Sequence, residues 1–212
     1  MEFLPIEING EKVFAGFWKR LGAAIIDIIV FIPVMVIGYY IESISMLSAI
    51  LTTTILAPLY YGYIIFFHYK FGATIGKMVV GIQITLPNGH KIGFKEAFLR
   101  SSVEIVITCF VVTAQLIALK QVDPDIYLNA EWVDRAKYIV LLFPTWYGLI
   151  NLLNQAWFWS EFIVLLFNKR KRAIHDFIAG TVVIKKSMLK IKLLIHLTRK
   201  LSLVKLLWII MH

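Results

Sequence analysis

Charge is scarce in this chain: Asp, Glu, Lys and Arg make up 17% of its 212 residues, whereas about a quarter of the residues of a soluble domain are charged. Cysteine is nearly absent. Cys109 stands alone inside an apolar run, so no internal disulfide forms, and it reads as a small buried apolar side chain. There is no HExxH, no CxxC pair and no nucleophile elbow, and His68, His90, His196 and His212 are scattered. Enzyme chemistry is therefore not expected, nor is a cofactor or a bound metal. His175 and Asp176 are adjacent, but neighbours on a helix point about 100° apart and make no site by themselves.

What is abundant is apolar surface. Hydrophobic residues reach 59%, aromatics 14%, and the mean hydropathy is +0.78. They fall in blocks, which predicts an all-α membrane protein with about four transmembrane helices, over residues 21–41, 46–67, 101–119 and 146–167. The run from Tyr138 to Phe167 is too long for one crossing, since about 30 residues extend about 45 Å. Pro144 is the natural break, and Asn168 to Arg172 (NKRKR) closes the far end. Tyr138 to Phe143 is expected to approach along the outer surface.

Of the 22 Lys and Arg, only Lys120, Arg135 and Lys137 fall on one side of these spans. The others belong to the N-terminus, the loop between the second and third spans, and the tail. Short basic loops stay in the cytoplasm, so both termini are expected there, in a plasma or bacterial inner membrane. The net charge of +9 then reflects topology and attraction to anionic lipid headgroups rather than nucleic acid. Glu2, Glu7 and Glu11 lie ahead of the first span with no apolar segment among them, so a cleavable signal peptide is not expected.

The most informative residue is Asp27, near the middle of Leu21 to Ile41 (LGAAIIDIIVFIPVMVIGYYI). A carboxylate at that depth needs a partner, a proton or water. Two further acids come out at similar levels. Asp27 is about 10 Å beyond Arg20, Glu104 about 6 Å beyond Arg100, and Glu161 about 12 Å from Lys169, so the three could form one acidic patch. One helical turn lets Glu104 pair directly with Arg100, the expected arrangement. Arg20 is too far along the helix to touch Asp27, which leaves that acid open to other duty. Asn151, Asn154 and Glu161 recur at helical spacing, with Gln155 beside them. They make a polar stripe expected to face other helices rather than lipid.

Between the second and third spans, Phe71 to Thr85 reads FGATIGKMVVGIQIT. Gly72, Gly76 and Gly81 mark a turned or close-packed backbone, and Lys77 invites comparison with a phosphate loop. That comparison fails: Gly72 to Gly76 is one residue short of GxxxxGK[ST], and Met78 stands where a hydroxyl should hold magnesium. Val79 to Leu86 predicts a short strand ending in a Pro-Asn-Gly turn, paired beneath the membrane with Ala179 to Ile184 (AGTVVI). An amphipathic stretch follows from Gly93 to Arg100.

These strings resemble the RDD family of membrane proteins. Its arginine and two aspartates correspond to Arg20 and Asp27 in GFWKRLGAAIID and to Asp176 in RRAIHDFIAGTVVI, with GATIGKMVVGIQI similar to the family's middle segment. The likeness spans about Phe14 to Lys186 and implies a transmembrane domain over 1–186. Cation and proton exchange is attached to some family members, and assembly or regulation of other membrane proteins to others.

Two functions follow as expectations. One is small-cation/proton transport through Asp27, with Glu104, Glu161, Asn151, Asn154 and Gln155 along the pathway; four spans are few for alternating access, so a homodimer is expected with it. The other is a non-catalytic membrane scaffold or regulator that binds another membrane protein. Asp176 is expected to receive Arg20, Lys77 or Arg100, or to cap the turn into Gly180 and Thr181. Residues 187–212 alternate cations with Leu, Ile and Trp208 and predict an amphipathic helix lying on the membrane surface.

Overall fold

Four long helices carry the apolar blocks in the computed structural model, which describes residues 4–188: α1 (Phe17–Glu42), α2 (Met46–Phe71), α4 (Phe94–Leu119) and α7 (Tyr147–Phe167). Each is long and apolar enough to cross a membrane. Large side chains such as Ile28, Met35, Leu59 and Leu152 face outward along them, as hydrocarbon-facing residues should. The expected surface helix of the tail lies outside the described residues.

Two of them, α1 and α4, begin earlier than hydropathy suggests because nothing breaks them at the membrane edge. The stretch from Gly93 to Arg100 runs straight into the third span as its opening turns, and Glu96 secures that start by accepting the Gly93 N–H at 2.8 Å. Pro144 does what was expected of it: α6 (Trp132–Leu141) ends before it and α7 begins after it. Short α5 (Pro124–Asn129) precedes α6, its first turn capped by Asp123. The Tyr138 to Phe143 stretch thus belongs largely to α6.

At one end of the bundle, β3 (Ile82–Thr85) pairs antiparallel with β4 (Val182–Lys185), Ile84 opposite Val183. The N-terminal segment lies on the other edge of β4, where Ala15 N–H donates to the Val183 carbonyl and Lys185 N–H to that of Val13. Alternation then buries both faces of β4. Val183 joins Ala15, Ala23, Ile82 and Ile84, while Val182 and Ile184 join Leu4, Val13, Phe14 and Met188. The tightest core of the described chain is therefore this sheet, and we call this end the sheet face. Ahead of it, β1 (Glu7–Ile8) and β2 (Glu11–Lys12) form a hairpin whose turn, Asn9-Gly10, is left-handed at both residues (φ 52 and 79). That dipeptide is the standing sequence signal for such a turn.

α2 ends on Gly72 in the left-handed conformation (φ 67), and the chain folds back as α3 (Ile75–Val80), which ends on left-handed Gly81 (φ 73). α3 lies against α1. Gly76 makes that possible: a Cβ there would stand 2.1 Å from the Ala23 carbonyl oxygen and 2.8 Å from Asp27 Cγ. The expected strand from Val79 to Leu86 is accordingly shorter, because Val79 and Val80 complete α3.

Candidate functional site

Two polar constructions are built on this frame. The first is at the sheet face, where the opening turn of α1, the opening turns of α4 and short α8 (Ile174–Ile178) meet. Asp176, with no exposed surface, caps α8 by accepting the Ala173 N–H at 2.9 Å. The same carboxylate pairs with Arg20 at 2.7 Å and with Arg100. Arg100 also donates to the Thr181 hydroxyl at 2.5 Å, and Arg20 to the carbonyl of Lys171. Burial by itself would raise the Asp176 carboxyl, but Arg100, and after it Arg20, outweigh that and hold the acid well below the ordinary carboxylate range. One acid thus ties the first, third and last spans together through two guanidinium groups.

The second construction is the crossing of α1, α2, α3 and α4. The Asp27 carboxylate accepts the Gly76 N–H at 2.7 Å and the Thr74 hydroxyl at 2.5 Å. Both donors are neutral and both come from the fold-back after Gly72. From Thr74 the bonding continues: Lys77 Nζ lies 3.4 Å from its hydroxyl and 3.3 Å from Nε2 of buried His68. Ile75 N–H donates to the Tyr63 hydroxyl at 3.1 Å, and the Tyr61 and Thr108 hydroxyls meet at 2.7 Å between α2 and α4. A hydrogen-bonded line thus runs from His68 on α2 through α3 to Asp27 on α1.

Glu104, one turn into this region from Arg100, makes no hydrogen bond or ion pair among the described residues. It is half-buried, and its charge acts on Tyr60, Tyr61 and Lys77. Asp27 acts on Tyr60 and Lys77 as well. The expected fates of the two acids are therefore exchanged. Arg100 turns from Glu104 to Asp176, because the capped turn of α8 presents a buried carboxylate that needs both guanidinium groups. Asp27, expected to be open, is occupied by the fold-back.

Glu161 leaves the patch. Its Oε1 accepts the His175 N–H at 3.0 Å, and its Oε2 lies 2.6 Å from His175 Nδ1, close but poorly aligned for a hydrogen bond. Asn151, Asn154 and Gln155 do not face the chain's other helices: all three are exposed and unbonded among the described residues. A pathway lined by every one of the expected polar residues is not assembled within one chain. His68, Thr74, Tyr61, Tyr63 and Thr108 join the crossing without having been singled out by the sequence. The available signal was the Gly72 turn, which lays α3 against α1 and brings Lys77 back to His68. Among the described residues no three His, Cys, Asp or Glu side chains are grouped to hold a metal ion.

Arg20, Asp27 and Asp176 thus each anchor a junction. The model of the RDD family matches residues 14–180, a stretch that contains all three. The uncharacterized protein YckC of Bacillus subtilis (strain 168) is 34% identical over 111 residues, covering 49% of this chain and 68% of that protein. No solved structure matches the chain significantly. The matched stretch takes in both junctions and all four spans, and on that match the chain belongs to the RDD family of membrane proteins.

Proposed function

We propose that the protein moves a small cation against protons across the membrane at the crossing of α1 to α4, with Glu104 as the exchanging acid and Asp27 as a fixed anchor. One observation carries the reading: of the three acids set well inside the spans, away from the helix ends, Glu104 alone has no hydrogen bond or ion pair among the described residues, while Asp27 and Glu161 are both engaged. An exchanging carboxylate must release one partner for another, and a group in hydrocarbon with no fixed partner must take a proton, water or a cation. Lys77, close enough to feel both Glu104 and Asp27, supplies a positive charge that a bound cation would displace or a proton would relax. Tyr60 and Tyr61 also lie within reach of the Glu104 charge. The cation-rich sheet face is taken as cytoplasmic, with both termini inside.

Purified protein in liposomes loaded with a pH dye tests this. A sodium or potassium gradient should drive proton flux, Glu104→Gln should abolish it, and Asp27→Asn should keep most of it in the fraction that folds. No flux from the wild type, or flux unchanged by Glu104→Gln, ends the proposal. A scaffold that binds another membrane protein is the second reading, favoured by the full occupation of Arg20, Asp27 and Asp176 in holding helices together. Absent flux together with a stoichiometric membrane partner in mild detergent would select it.

A further inference from the structure

The outward amides of α7 are a cost that the single chain leaves unmet. Asn151, Asn154 and Gln155 are exposed on a helix of 21 residues and bond to nothing among the described residues. At 100° and 1.5 Å per residue they share an arc of about 100°, about 6 to 12 Å from the N-terminal end of a helix about 30 Å long. Lipid tails offer such groups neither donor nor acceptor. Gly148 lies on the same face one turn earlier, also exposed, with nothing within 4 Å of where a Cβ would be.

We propose that this stripe is the contact face for a second copy of the chain, packed in parallel across a two-fold axis along the membrane normal. In such a pair every residue on the axis meets its own counterpart at the same depth. That arrangement repels if the residue is charged and fails if it only donates or only accepts. A carboxamide does both, so Asn151, near the middle of the arc, satisfies its own equivalent, while Asn154 and Gln155 on its two flanks satisfy each other's. The one acid of α7, Glu161, is engaged with His175 and brings no like charge to the seam. Gly148 lets the two backbones approach closely at the end where the amides begin. The contact holds whether or not Glu104 exchanges.

Cysteine cross-linking in native membranes reads this out. In a Cys109→Ser background, Asn151→Cys and Asn154→Cys should each give a disulfide-linked species of twice the chain mass, while Ile28→Cys on the outward face of α1 should not. Replacing all three amides by Leu should shift the dimer-to-monomer midpoint in detergent titration at least tenfold toward monomer, and Asn154→Gln should leave it in place. Equal cross-linking from Ile28→Cys, cross-links only to a protein of different mass, or an unshifted midpoint in the triple variant would overturn the proposal. So would an Asn151→Cys dimer that forms only once residues 189–212 are removed, which would make the tail the occupant.

Discussion

The junction at the sheet face and the crossing inside the spans hold a carboxylate by opposite means. Asp176 sits fully buried between two guanidinium groups, while Asp27 is held by a backbone N–H and a hydroxyl. The first arrangement depends on charge and cannot be traded for a neutral one, because removing the acid leaves the buried Arg100 and the largely buried Arg20 facing each other. The second depends on shape and tolerates neutrality. The largest expected effect follows. Asp176→Asn should cost about 3 to 5 kcal/mol, seen as loss of folded yield or a steep fall in melting temperature in detergent; a variant melting within a degree or two of wild type would erase the contrast.

Breaking the shape of the crossing comes next. Gly76→Ala drives a methyl group onto the Ala23 carbonyl and the Asp27 carboxyl, and overpacking of this kind costs about 1 to 3 kcal/mol. Gly62→Ala in α2, with nothing within 4 Å of its Cβ, is the matched control and should be neutral or slightly stabilising. Equal melting of the two variants would show that α3 does not rest on α1 as described.

Acid separates the two regions without a mutation. The Asp176 carboxyl is held below its ordinary value when folded, so its contribution is whole above the unfolded value of about 4 and is lost as pH falls toward the folded one. Thermal stability from this group should be flat between pH 8 and 5 and then decline, by at most about 1.4 kcal/mol per pH unit. A decline beginning near pH 7 would point to a different group.

How far the sequence announced these regions follows from what sequence patterns encode. Hydropathy and Pro144 mark the four spans, and the β-branched runs within Val79 to Leu86 and Ala179 to Ile184 mark where strands pair, because both signals are local, although the first run also supplies the last two residues of α3. The partner of Arg100 is not local. Helical spacing offers it Glu104 one turn away, yet it pairs with Asp176, 76 residues distant, because α8 turns that carboxylate inward. Asp27 looks unoccupied in sequence for a similar reason, since one of its donors is the backbone N–H of Gly76, and a backbone donor has no residue signature. For Asn151, Asn154 and Gln155, periodicity states that they share a face but not what that face meets.

The smallest effect is the sharpest test. Asn at position 27 keeps one oxygen for the Gly76 N–H, and its NH2 can donate to Thr74 once that hydroxyl turns away. The cost should therefore be near that of one altered hydrogen bond, about 1 kcal/mol. If Asp27 only anchors α3, Asp27→Asn melts a few degrees low and still carries flux, whereas Glu104→Gln melts like wild type and carries none. The reverse pattern would return the exchanging role to Asp27, and its contacts with Thr74 and Gly76 would then be one state of a carboxylate that must let go of them during transport.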